Sequence, residues 1–179
     1  MPAPITPGRV CLSLVAGVLG PGCFVADWSR THVFNPRWPP HAKFHNGQTM
    51  AMGASLALGT LYYTWRVPGR HLHLHLKAGR EGALLRDNDD GSTTDTDVDT
   101  KRELEKESIR IATLLGSLYF VTALAAWFFP GSLAVDPEFG TGFPQFPMFS
   151  GLLILAWVGG WLELTRLEGL DTKHGKKRI

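Results

Sequence analysis

Charge is missing from four long stretches of this chain, and that absence is the most informative feature of the sequence. Between flanking Asp, Glu, Lys or Arg residues lie 17 uncharged residues from Val10 to Ala26, 22 from Phe44 to Trp65, 25 from Ile111 to Val135 and 24 from Phe139 to Leu162. Cysteine is scarce as well. Cys11 and Cys23 are the only two, and twelve residues apart on one helix they stand about 18 Å from each other, which excludes a bridge between them within a chain. No Asn-x-Ser/Thr sequon occurs, so nothing marks a loop for N-glycosylation.

What fills the four runs is mainly Leu, Ala, Gly, Val and Phe. A helix needs roughly 20 apolar residues to cross a hydrocarbon core about 30 Å thick, and each run is near or above that length. Backbone amides in lipid must be satisfied internally, which selects helices. The expected fold is therefore all-α, a single membrane domain over 1–179 built as a four-transmembrane-helix bundle. The helices are expected at about 9–27, 40–66, 108–130 and 147–166, with a polar, His-rich non-cytosolic loop between helices 1 and 2. Gly20-Pro21-Gly22 interrupts the first run. A retained, kinked helix is expected there rather than a cleaved signal peptide, because cleavage after Ala26 puts bulky Phe24 where a small residue is required.

Basic residues divide unevenly about such a bundle. Arg9, nine residues from Arg66 to Arg110 and five from Arg166 to Arg178 fall on one side, 15 in all, against Arg30, Arg37 and Lys43 on the other. Positive residues stay cytoplasmic, so both termini are expected in the cytosol. The ending Lys176-Lys177-Arg178-Ile179 resembles a dilysine retrieval signal and points to the endoplasmic reticulum, with a simple basic stop after the last helix as the alternative. Residues 1–8 read as a disordered lead. Residues 86–100, almost wholly Asp, Ser, Thr, Asn and Gly, read as a disordered cytosolic loop, followed by a mixed-charge helical stretch from Lys101 to Arg110.

The candidate chemistry lies between the first two spans. Asp27, His32, Asn35, His41 and His45 crowd into 22 residues together with Trp28, Trp38, Phe44 and Gln48. With a helix starting near Pro40, His41, His45 and Gln48 stand at i, i+4 and i+7 on one face. The second non-cytosolic loop adds Asp136 and Glu138, and short loops in a four-helix bundle bring both over one mouth. Ionisable groups at membrane depth are costly and point to function. Carboxylates beside imidazoles suit acid–base work, with Asp27 paired to His41 or His45 and Asp136 or Glu138 as partner. Asp27, His32, Asn35, His41, His45, Asp136 and Glu138 are the catalytic candidates, and Trp28, Trp38, Phe44 and Gln48 the substrate-binding ones.

Each feature also has a plainer reading. The aromatics suit an interfacial belt, while Asp27, His32 and Asn35 suit helix caps and loop amides. The His41/His45 spacing matches metal ligands, but Ala42-Lys43-Phe44 lacks the glutamate of a His-Glu-x-x-His site, so no metal and no cofactor is expected. His71, His73 and His75 alternate beside the disordered loop and read as a solvated or membrane-surface stretch. Glu163 reads as an i, i+3 partner of Arg166, and Gly53-Ala54-Ser55 and Gly159-Gly160 as close helix packing.

The run Asp27-Trp28-x-x-Thr31-His32-x-x-Asn35-Pro36-x-Trp38-Pro39-Pro40-His41-Ala42-Lys43-Phe44-His45 resembles the signature of an uncharacterised family of small four-helix membrane proteins of fungi and bacteria, some labelled acetyltransferase. The resemblance covers about the first third of the chain and implies topology more than activity. The architecture is also similar to small membrane-embedded cyclases, isomerases and epoxide hydrolases of polyketide and terpenoid secondary metabolism, an analogy of fold and residue type. The expected function is an integral membrane enzyme acting on a lipophilic small molecule by acid–base ring opening, cyclisation or isomerisation. Its partners are that substrate and membrane lipids, with no nucleic acid. The alternatives are a membrane acyltransferase, for which no acyl-CoA cradle is visible, and a non-catalytic membrane scaffold or lipid-binding subunit.

Overall fold

A computed structural model describes residues 3–66 and 95–176, and within them the chain is all-helical. Helix α1 spans Pro7–Asp27, α2 Pro40–Trp65, α3 Asp95–Ala125 with a 3₁₀ turn at Ala126–Phe128, and α4 Phe146–Lys176. Three of them, over Pro7–Asp27, Val98–Phe128 and Phe146–Leu170, are long and apolar enough to cross a membrane. The histidine segment 71–75 lies outside the described residues, as does most of the terminal basic signal.

Local chemistry sets most of the ends. Thr6 caps α1 by accepting the Arg9 amide at 3.3 Å, and Pro7 occupies the first turn, where no donor is needed. The helix runs unbroken through Pro21 to Asp27, so Gly20-Pro21-Gly22 does not end it. Pro40 opens α2 for the same reason as Pro7. Pro130 and Gly131, with φ of 75°, stop the chain after the 3₁₀ turn. Helices α3 and α4 exceed their apolar runs. Helix α3 starts at Asp95, inside the stretch expected to be disordered, and Glu103–Lys106 and Glu107–Arg110 pairs at i, i+3 support its polar turns in water. Helix α4 continues ten residues past the expected 166.

Consecutive helices are antiparallel neighbours, and α4 closes back on α1, which leaves α1 and α3 on one diagonal and α2 and α4 on the other. Val15, Leu19, Met50, Ala57, Phe120 and Ala156 form the main core, and Leu12, Ile109, Ala112 and Leu167 a second cluster toward the α1 N-terminus. Small residues let the backbones close up. A Cβ on Gly8 would stand 2.6 Å from the Gly159 carbonyl oxygen, and one on Gly159 would stand 2.8 Å from Cys11 Cβ. The glycines at 53 and 159–160 thus serve the packing role expected of them.

Apolar side chains are distributed inside out. Among the described residues 28 large hydrophobic side chains are exposed, Leu14, Leu58, Leu114, Ile154 and Trp157 among them, against 13 apolar residues in the core. Arg9, Asn46, Thr60, Thr64, Ser117 and Glu163 are buried. A water-soluble domain rarely leaves contiguous apolar patches of this kind uncovered. The two ends of the bundle differ. The α1 N-terminus, α2 C-terminus, α3 and the last part of α4 meet around Arg9 and Glu163, and the loops 28–39 and 129–145 close the opposite end.

Candidate functional site

The loop end begins where α1 stops. After Asp27 the chain turns back on itself: the Val33 amide donates to the Asp27 carbonyl at 3.2 Å and the Phe34 amide to the Ser29 carbonyl at 2.9 Å. Asn35, only 2% exposed, fixes the next turn by accepting the Arg37 amide on its side-chain oxygen at 2.9 Å, the local turn that Asn favours. This tight packing brings His32 back over the end of α1.

A polar chain results. Ser29 Oγ lies 2.7 Å from Thr31 Oγ1, and Thr31 Oγ1 lies 2.7 Å from His32 Nδ1. His32 Nε2 stands 3.7 Å from Asp27 Oδ1, and Asn46 Nδ2 donates to Asp27 Oδ2 at 2.8 Å. Exposure falls along the chain, from 35% at the His32 side chain to 14% at Asp27 and 6% at Asn46. Among the described residues the Asn46 side-chain carbonyl oxygen is buried without a hydrogen-bond partner, an arrangement native structures rarely leave unexplained. Asp27 and Asn46 together therefore offer a carboxylate and a free acceptor at the end of a hydroxyl–hydroxyl–imidazole relay.

The second loop comes to the first, as two short connections over one end require. Trp38 Nε1 donates to Asp136 Oδ2 at 3.3 Å, and Arg37 pairs with Glu138. Trp38 also packs edge-on against His32 with centroids 4.9 Å apart. Asp136 and Glu138 thus hold loop to loop instead of joining Asp27. Between the loops lies an open cleft of about 480 Å³ lined by Arg30, Phe34, Asn35, Pro36, Arg37, Glu138 and Phe139. Neither Asp27 nor His32 lines it.

Helix α2 separates the remaining candidates by face. His41, His45 and Gln48 share one exposed face as their spacing requires, with Phe44 beside them, and Asn46 and Met50 face inward. His41 Nε2 and His45 Nε2 are 3.1 Å apart, and His45 Nδ1 is 3.3 Å from Gln48 Oε1. The expected pairing of Asp27 with His41 or His45 is not made, because Asp27 meets α2 on the opposite face, at Asn46. Of the three histidines only His32 belongs to the loop. Trp28 is 59% exposed and packs edge-on against Phe34. Among the described residues no three or more His, Cys, Asp or Glu side chains are grouped to hold a metal.

Two features escaped the sequence reading. Asn46 is one; its signal was the seam Asn46, Met50, Gly53, Ala57, Thr60, Thr64, whose steps of three and four mark the buried stripe of α2. The other is the buried cluster at the opposite end. Arg9, 1% exposed, donates to Glu163 at 2.9 Å, pairs with Glu105 and lies 5.8 Å from the centre of the Trp65 ring. Glu163 also accepts from Thr6 at 2.5 Å and from Arg166 at 2.7 Å. Arg166 was the expected partner, and the tie to α1 is the addition.

Compared with known proteins, residues 11–86 match the model of a family described as a family of unknown function, DUF6640. The matched stretch contains the whole Asp27–His45 run and agrees with a resemblance to an uncharacterised family. No curated protein and no solved structure matches the chain.

Proposed function

We propose that this is an integral membrane enzyme that acts on a lipophilic small molecule by acid–base chemistry, with Asp27 and His32 as the working pair and Asn46 positioning the carboxylate. The observation that carries the proposal is the relay Ser29–Thr31–His32–Asp27–Asn46, which leads from the loop surface to a sheltered carboxylate beside an unpartnered buried acceptor. In a ring opening, protonated Asp27 gives its proton to the substrate oxygen, and His32 takes the proton released by the attacking water or internal hydroxyl. His32 then returns that proton to Asp27, 3.7 Å away, which restores the acid, while Thr31 and Ser29 hold the imidazole in place. Imidazole and carboxyl groups within reach of one another suit such a two-proton exchange. The Asn46 carbonyl oxygen accepts from a substrate hydroxyl. Polyketide- or terpenoid-like epoxides and polyenols carry the required groups, which makes hydration, cyclisation and isomerisation the reaction classes.

In this reading α2 is a fourth span. Its first turns carry His41, Lys43, His45 and Gln48 at the interface, and the 16 residues from Met50 to Trp65 hold no charge and extend about 24 Å. The 15-to-3 division of basic residues places both termini in the cytosol and the loop end outside it. Asp27 to Asn and His32 to Gln, expressed in the same cells as the wild type, test the chemistry. Apolar extracts from wild-type cells should contain a compound converted by gain of water or by isomerisation, and both variants should lose it while retaining wild-type expression and melting. Identical extracts from properly folded variants would refute the assignment.

One observation favours a second reading, a rigid non-catalytic lid. Trp38 with Asp136 and Arg37 with Glu138 hold loop to loop, and Asn35 fixes the turn that carries Arg37. If the lid is the function, Trp38 to Ala should abolish partner or lipid binding and Asp27 to Asn should not.

A further inference from the structure

The exposed face of α2 carries a pair of histidines that the acid–base reading leaves unused. We propose that His41 and His45 form a chelating site for a late first-row divalent metal ion, Cu²⁺ in preference to Ni²⁺ or Zn²⁺, with water completing the coordination. Their Nε2 atoms converge to 3.1 Å. Two metal–nitrogen bonds of about 2.0–2.1 Å span roughly 2.9 Å at a right angle and about 3.4 Å at the tetrahedral angle, so the present separation already falls within the bite of one ion. One helical turn sets the spacing, and Phe44, 76° to the His45 ring with centroids 5.6 Å apart, limits the ring on one side.

Gln48 supplies the orienting contact that metal-binding histidines commonly have. Its side-chain oxygen lies 3.3 Å from His45 Nδ1, so Nδ1 carries the proton and the Nε2 lone pair faces His41. Without metal, His41 donates its Nε2 proton to that lone pair. Binding requires that the His41 proton move to Nδ1 and that the two rings turn so that both lone pairs meet at one position off the line between the nitrogens. The N-terminal end of α2 and Lys43 oppose a cation there, which favours the ion with the strongest intrinsic affinity for imidazole.

The full-length protein, purified in detergent by a tag free of histidine, should bind one equivalent of Cu²⁺ at this site in a calorimetric titration. Its electron paramagnetic resonance spectrum should show coupling to two imidazole nitrogens. His41→Ala and His45→Ala should each weaken binding by about a hundredfold and reduce the coupling to one nitrogen. Gln48→Ala should weaken it by about tenfold, as loss of an orienting partner does. Replacement of His71, His73 and His75 by Asn should leave the two-nitrogen signal intact. The proposal fails if His45→Ala retains wild-type affinity and spectrum, if the signal follows His71, His73 and His75 instead, or if a protein of unchanged helicity binds no Cu²⁺.

Discussion

At the scale of single residues, the two ends of the bundle pose the same problem, charge removed from water, and solve it differently. Asp27 keeps one amide donor and one imidazole. Replacing Asn46 by Leu leaves the carboxylate without its amide, and a loss of about 1–3 kcal/mol is expected, measured by thermal unfolding in detergent. Arg9 and Glu163 are each 1% exposed and hold three helices together. Glu163 to Leu alone should cost about 3 kcal/mol, because it leaves buried Arg9 with only the partly exposed Glu105 and removes the acceptor of buried Thr6. The double change of Arg9 to Met with Glu163 to Leu should recover much of that loss, since Arg166 already stands 3.6 Å from Glu105 and can pair with it. Glu107, 56% exposed and paired with Arg110, itself 53% exposed, should be replaceable by Ala with little effect on melting. The shared face of His41, His45 and Gln48 was legible from spacing alone. Asn46 was not, because an amide between His45 and Gly47 signals nothing until the buried stripe of α2 is known.

At the scale of the elements, contact between helices depends on where side chains are small. A Cβ on Gly159 would meet Cys11 Cβ at 2.8 Å and the Gly8 carbonyl oxygen at 3.0 Å, whereas one on Gly17 meets nothing within 4 Å. Gly159 to Val is therefore expected to lower stability by about 1–3 kcal/mol, and Gly17 to Ala to leave melting unchanged or slightly raised. The existence and order of the helices could be read from the uncharged runs, because lipid imposes both length and backbone pairing. Their ends could not. A run stops at its first charge, but α3 and α4 continue into polar sequence, where ion pairs such as Glu107 with Arg110 take over from lipid. The loops show the same limit: proximity of 28–39 and 129–145 followed from topology, but which carboxylate met which partner depended on side-chain reach across the mouth.

At the scale of the whole molecule, the inside-out distribution is the central fact. Apolar side chains cover the outer faces of the helices, and the polar groups collect inside and at the two ends. That arrangement suits lipid as the solvent of the three long apolar helices, and the proposed topology adds α2 as a fourth span with the Arg9–Glu163 end and the Asp27–His32 end on opposite sides. Sidedness tests this directly. In a variant with Cys11 and Cys23 replaced, single cysteines at Arg30, Thr141 and Glu107 are labelled by a membrane-impermeant thiol reagent in sealed vesicles and again after permeabilisation. Arg30 and Thr141 should react from one side and Glu107 only from the other; reaction of Arg30 and Glu107 from the same side would contradict the four-span account and the site built on it.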